Sequence, residues 1–222
     1  LRRKLKMSIN KTYAVFGLGR YGKAVAAELV ANGAEVLAVD SDKSAVDDAA
    51  ALLPVCKCAD VTDPDTFKRL GISNIDTVVI AMAGSMEASV MTTMLCKEAG
   101  VSNVIAKCKD EIHGRILSRV GADRVLFPET DSGRRLAKNL LSSGFIDMAE
   151  ISDKVSVVDI EVRPDWVGKS LAELRLREKF SVNVIAVVRD GKADTAVNPS
   201  APIKAGMHLI VVADKEKLRR LK

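Results

Sequence analysis

A chain of 222 residues is long enough for one full domain and a smaller second one, and 48% apolar with 28% charged residues is the composition of a globular protein rather than a disordered one. The net charge of +5 is confined to one end: Arg2, Arg3, Lys4, Lys6 and Lys11 supply all of it before any acid appears, so the rest balances to zero and a nucleic-acid-binding stripe is excluded. No run approaches the ~18 consecutive apolar residues of a spanning helix and nothing resembles a signal peptide, so the expected location is the cytoplasm.

Residues 1–11 read as a basic N-terminal arm or tag-like extension, with a juxtamembrane segment as the alternative. The stretch Thr12 to Gly22, TYAVFGLGRYG, then reads as a buried strand entering a G-x-G-x-x-G turn that opens a helix over Arg20 to Asn32. Gly17 permits the tight turn, Gly19 lets backbone N–H groups approach a pyrophosphate, and Gly22 lets the helix pack on the strand. Phosphates belong at the start of that helix, where unpaired N–H groups and the macrodipole favour negative charge. The next strand, EVLAVD, ends in Asp40, close to the ~20-residue spacing of an acid that bonds an adenosine ribose.

Strand-like runs follow at 54–58, 76–82, 103–108 and 123–128, alternating with helical runs at Lys43 to Leu52, Pro64 to Leu70, Ser85 to Glu98, Glu111 to Val120 and Ser132 to Ser143. This alternation predicts an α/β fold with a doubly wound parallel sheet, Rossmann-like, its ligand at the C-terminal strand edges. Those edges carry Asp40, Asp60, Ala81 to Ala83, Lys107 and Glu129. From about Ser152 the pattern changes to mixed α and β, with a helical run at 170–180, a hairpin at Asp190-Gly191, and breaks at Pro199, Pro202 and Gly206 before a last strand. The expected domains are 12–143, a linker at 144–153, and a smaller α+β domain at 154–222.

Catalytic signatures are sparse. The two histidines, His113 and His208, read as surface or packing residues, and no His–acid, Ser–His, Cys–His or Tyr-x-x-x-Lys arrangement appears. Cys56, Cys58, Cys96 and Cys108 have poor zinc spacing and read as buried thiols. Ser41 and Asp42 stand where an NADP site places a positive group, leaving NAD(H), ATP or ADP. The nucleotide therefore reads as a signal, not a reagent; a small NAD(H)-dependent oxidoreductase or a nucleotide-responsive transcription factor are the rival classes.

YAVFGLGRYG, EVLAVD with ADVTD, TVVIAM before ASVMTTMLCKEAG, IAKC, GADRVLFPE and the C-terminal VGKSLAELRLREKFSVNVIAVVRDG together resemble RCK domains, the cytosolic regulatory subunits of Trk and Ktr potassium uptake systems. Ala59 departs from the Gly that many relatives carry before the acid at Asp60. The resemblance implies that Arg20 reaches the terminal phosphate of ATP, that Asp40 holds the ribose, and that Asp60 with Val61 flanks the adenine. It implies that Lys107 stabilises phosphate or a neighbouring acid, and that Glu129 faces a divalent or monovalent cation or a dimer partner. With Gly17, Leu18, Gly19, Tyr21 and Gly22 of the loop, Ser41, Ala81 and Met82, these residues make up the expected nucleotide site. The same resemblance implies homodimers assembled into an octameric ring beneath a membrane potassium-translocating subunit. It also implies a second ligand, cyclic di-AMP, at Arg177, Asn183 and Pro199, with Val182 as apolar floor.

Overall fold

Apolar strands separated by amphipathic helices cannot pair as hairpins, because each crossover returns the chain to the same end of the sheet. The computed structural model describes residues 11–141, 145–152 and 154–218, and the chain divides after Pro128 into two units. The first carries β1 (Thr12–Phe16), α1 (Arg20–Ala31), β2 (Glu35–Asp40), α2 (Lys43–Ala50), β3 (Cys56–Cys58), α3 (Pro64–Arg69), β4 (Thr77–Ile80), α4 (Met86–Glu98), β5 (Asn103–Lys107), α5 (Glu111–Val120) and β6 (Arg124–Leu126). All six strands run parallel in the order β3-β2-β1-β4-β5-β6, so the doubly wound sheet is present as expected.

Side chains alternate between two apolar layers. Ala14 and Phe16 of β1, with Val78 and Ile80 of β4, face one layer that also holds Phe67, Ile72 and Leu117. Val15 and Val79 face the other, against Ala26 of α1 and Val46 and Ala49 of α2. Burying one such side chain contributes about 1.5–3 kcal/mol. β4 is buried along its whole length, as a central parallel strand with both faces covered must be. Phe16 and Phe67 meet edge to face, with centroids 6.1 Å apart. At the far edge the Asp123 carboxylate accepts from the Val104 N–H at 2.7 Å and from the Lys97 ammonium at 3.0 Å, tying α4 to β5.

The thiols divide by position. Cys96 and Cys108 are buried, and burial pushes the Cys96 thiol up to about 12. Cys56 is only half-buried and Cys58 is exposed, against the expectation for all four, because β3 is a three-residue edge strand. His113 is buried, with Nδ1 accepting from the Lys109 N–H at 3.3 Å, which fits the packing role expected of it.

The second unit begins within α6 (Pro128–Leu141), at its second residue, and the helix starts four residues before the predicted run because Pro128 and the acids Glu129 and Asp131 suit a first helical turn. It continues with β7 (Phe145–Glu150), β8 (Val155–Glu161), α7 (Leu171–Leu174), α8 (Leu176–Phe180), β9 (Asn183–Arg189), β10 (Lys192–Asp194), β11 (His208–Asp214) and α9 (Lys215–Leu218). The sheet is antiparallel in the order β10-β9-β11-β8-β7. The expected linker at 144–153 thus contains a strand, β7, that pairs with β8. The helical run at 170–180 is two short helices, because Arg175 takes φ +49° and ends the first. Asp190 and Gly191, at φ +47° and +71°, make the tight turn predicted between β9 and β10.

α7 opens on a capping box: the Ser170 Oγ accepts from the Glu173 N–H at 3.3 Å, and the Glu173 carboxylate accepts from the Ser170 N–H at 2.7 Å. Hydrogen bonds from the backbone and then the side chain of Ser170 hold the Glu173 carboxyl below the usual carboxylate range. A depressed carboxyl stabilises the fold above its unfolded pKa, and that contribution is lost as pH falls through the folded value. Ser170→Ala should cost about 1 kcal/mol in urea unfolding at neutral pH. The gap from wild type should narrow between about pH 5 and 3 as Glu173 protonates.

Candidate nucleotide-binding site

The strand order reverses between β1 and β4, which opens a crevice at the C-terminal ends of the strands, and the glycine loop lies there. Gly17 N–H donates to the Val39 carbonyl at 2.9 Å and Ala81 N–H to the Phe16 carbonyl at 2.7 Å, so the loop is fastened to β2 and to the end of β4. Gly17 has φ +91°, and a Cβ there would stand 2.9 Å from Met82 Cγ. A Cβ on Gly22 would stand 1.9 Å from the Gly17 carbonyl oxygen and 3.1 Å from Ala81 Cβ. Gly19 has open space where its Cβ would be. The three glycines therefore divide as their spacing predicts: a turn, an unobstructed approach, and a close helix contact.

The helices after this loop differ at their starts. α2, α3, α4 and α5 are each capped by a side chain, those of Asp42, Asp63, Ser85 and Asp110. α1 begins at Gly19 with no side-chain cap, and its first turn carries no acid. The N–H groups that capping residues satisfy elsewhere are left here for an anion.

Asp40 is half-buried at the end of β2. One carboxylate oxygen accepts from the Leu18 N–H at 2.5 Å and the other from the Asp42 N–H at 2.9 Å, so the acid also braces the glycine loop. Each oxygen retains acceptor capacity for a ribose hydroxyl. Asp60 is exposed and accepts from the backbone N–H and the hydroxyl of Thr62 at 2.9 and 2.7 Å. Val61 does not line the crevice with its side chain: it is 4% exposed in the layer with Phe67, which leaves its backbone to meet a base. Leu18 is likewise buried, Ala81 and Met82 support the loop from beneath, and Ser41 is exposed beside Cys58.

Arg20, the first residue of α1, is exposed. Lys107 closes β5, and its ammonium lies 5.6 Å from the Tyr21 ring centroid, a contact between distant residues that spacing along the chain could not reveal. Glu129 is exposed in the first turn of α6, in the second unit. Among the described residues no three His, Cys, Asp or Glu side chains gather as a metal site.

In the second unit Arg177, Val182, Asn183 and Pro199 line one open groove together with Leu171 and Leu176. Val182 is buried as its floor, and the Pro199 carbonyl accepts from the Ala172 N–H at 2.9 Å, holding the loop to α7. Four residues scattered over one helix, a strand and two loops are thus brought to one place.

The TrkA-N domain model matches residues 13–128 and the TrkA-C domain model residues 156–222. The chain belongs to the TrkA family. This TrkA-family chain is 35% identical over 193 residues to the Ktr system potassium uptake protein C of Bacillus subtilis, covering 87% of this chain and 86% of that one. It is 33% identical over 209 residues to the Ktr system potassium uptake protein A of Vibrio alginolyticus, covering 94% and 95%. These relatives make it a KtrA-like RCK subunit. The fold is shared with a GsuK channel structure bound to NAD, at TM-score 0.64 and 16% identity, over 94% of this chain and 38% of that one. Among the described residues of this TrkA-family chain no helix is long and apolar enough to cross a membrane.

Gly22→Ala should unfold the first unit more easily by about 3 kcal/mol or more, because the neighbour it meets is backbone. Gly19→Ala should leave the melting temperature close to wild type and weaken nucleotide binding, since its Cβ meets only the space a phosphate needs. Differential scanning fluorimetry and calorimetric titration on the two variants check the contrast.

Proposed function

We propose that this chain is a nucleotide-sensing regulatory subunit of a potassium uptake system, binding an adenine nucleotide in the first unit and controlling flux through a membrane partner of Trk or Ktr type. The observation that carries the reading is the uncapped start of α1 over a glycine loop whose close contacts exclude a Cβ at Gly17 and Gly22, with Asp40 at the adjoining strand end. Similarity over most of the chain to Ktr potassium uptake proteins supports the transport role. A GsuK channel of the same fold is described as bound to NAD, which supports a nucleotide as the ligand.

The nucleotide acts here as an effector. No acid–base pair stands with the loop residues, so the reading assigns binding without turnover and places the chain beside its membrane partner on the cytoplasmic side. Exposed Met86, Met91 and Met94 on α4 support assembly into homodimers and a larger ring. A ligand then changes the pore only through different affinity for two shapes of that assembly. Glu129 is assigned a cation or a dimer contact on the family resemblance alone. The groove at Arg177, Val182, Asn183 and Pro199 favours a second effector with two base faces and phosphate charge, for which cyclic di-AMP is the candidate.

Asp40→Ala should weaken ATP, ADP and NADH alike by about tenfold or more, since hydrogen bonds to a charged acceptor are worth ~1.5–3 kcal/mol. Unchanged affinities in calorimetry would remove the site from this crevice. Arg20→Ala should compress the ratio of ATP to ADP affinity more than it weakens ADP, because a guanidinium at the start of α1 meets the phosphate that ADP lacks. Potassium flux through a reconstituted partner should lose its ATP response in parallel. A variant that keeps both the ratio and the response would place the switch elsewhere in the chain.

A further inference from the structure

The β9–β10 hairpin turns charges of both signs toward the core of the second unit. Strand alternation puts Arg189 on the same face as Val187, a buried core residue, and Asp194 stands directly across from Val187 on β10. Arg189 and Asp194 are therefore diagonal neighbours on the inward face, about 7–8 Å apart at their backbones. Among the described residues neither enters an ion pair. Both instead border a cavity of about 70 Å³ whose floor is Val187, Ile203 and Met207, all buried, and whose wall is the loop at Asn198. Lys192 lies directly opposite Arg189. Like charges so placed weaken a strand pair, and an anion held beside them relieves the repulsion.

The wall of the cavity is ordered by its own turns. One Asp194 carboxylate oxygen accepts from the Ala196 N–H at 2.9 Å, and the Asn198 carboxamide oxygen accepts from the Ser200 N–H at 3.0 Å. The Ala201 N–H returns to the Asn198 carbonyl at 3.2 Å. Asp194 retains its other oxygen, and Asn198 its amide N–H donors, for a guest. The volume is little more than that of two waters at about 30 Å³ each, so a large solute is excluded.

We propose that this cavity binds a small zwitterion, an α-amino acid of glycine or alanine size. Its carboxylate meets the Arg189 guanidinium, its ammonium meets Asp194, and its short side chain rests on Val187, Ile203 and Met207. A lone anion is repelled by Asp194 and a lone cation by Arg189, so a guest carrying both signs is favoured over either. The site lies wholly within the second unit and does not rest on the nucleotide reading of the first.

Calorimetric titration of the full chain with glycine, L-alanine, propionate, ethylamine and L-leucine tests this. Glycine or L-alanine should bind, with propionate and ethylamine about tenfold weaker or more, because each forfeits one charge-assisted contact. L-Leucine should bind more weakly than either small amino acid, since its side chain exceeds the floor. Arg189→Met and Asp194→Asn, both at exposed positions, should each weaken the better amino acid about tenfold or more and leave the melting temperature close to wild type. Propionate or L-leucine binding as tightly as L-alanine, or an affinity that survives both substitutions, overturns the proposal. A folded wild-type chain that takes up neither glycine nor L-alanine at millimolar concentration overturns it too, and leaves the inward charges as a guard against strand pairing at the β10 edge.

Discussion

A Cβ on Gly22 would fall 1.9 Å from the carbonyl oxygen of Gly17, and its absence lets α1 begin directly over the glycine loop. With any side chain there the helix must lift away, and the loop between Phe16 and Arg20 loses the geometry that points N–H groups into the crevice. The same closeness brings Ala81 and Met82 under the loop, so β4 contributes support without presenting side-chain chemistry. The contact is steric and short-ranged, yet it sets where every polar group of the site stands relative to the helix axis.

Around that contact the charges are arranged for a ligand that carries its own. The start of α1 has no side-chain cap, Arg20 is exposed beside it, and the Asp40 carboxylate braces the loop by accepting from the Leu18 and Asp42 N–H groups. One carboxylate thus fixes the order of the loop.

The second unit has its own core, built from the inward faces of β8, β9 and β11 with Trp166, Leu174 and Met207. Its sheet joins two hairpins, β7–β8 and β9–β10, by a crossover through α7 and α8 that carries the chain from β8 to β9 on the other side of β11. Its groove takes residues from both short helices: the break at Arg175 separates Leu171 of α7 from Leu176 and Arg177 of α8, and all three line it with Val182 and Pro199.

Periodicity and turn chemistry are local properties, and what rests on them was legible from the residues alone. Six strands alternating with helices require crossovers, crossovers require a parallel sheet, and the glycine spacing with Asp40 at the next strand end points to the crevice of the candidate site on that sheet. The hairpin at Asp190-Gly191 followed from the two residues that tolerate positive φ. The tertiary structure decided what depends on neighbours distant in sequence. Cys58 is exposed because β3 lies at an edge, which a strand cannot show in its own residues. β7 is a strand because β8 stands beside it to take its hydrogen bonds, although its residues read as a linker. Val61 turns into the core because the loop after β3 folds back over Phe67. The seating of Lys107 on Tyr21, and the tie from Asp40 to Leu18, arise only when the sheet order brings β5, β1 and β2 to one crevice: pattern sets the elements, and packing sets which of their ends meet.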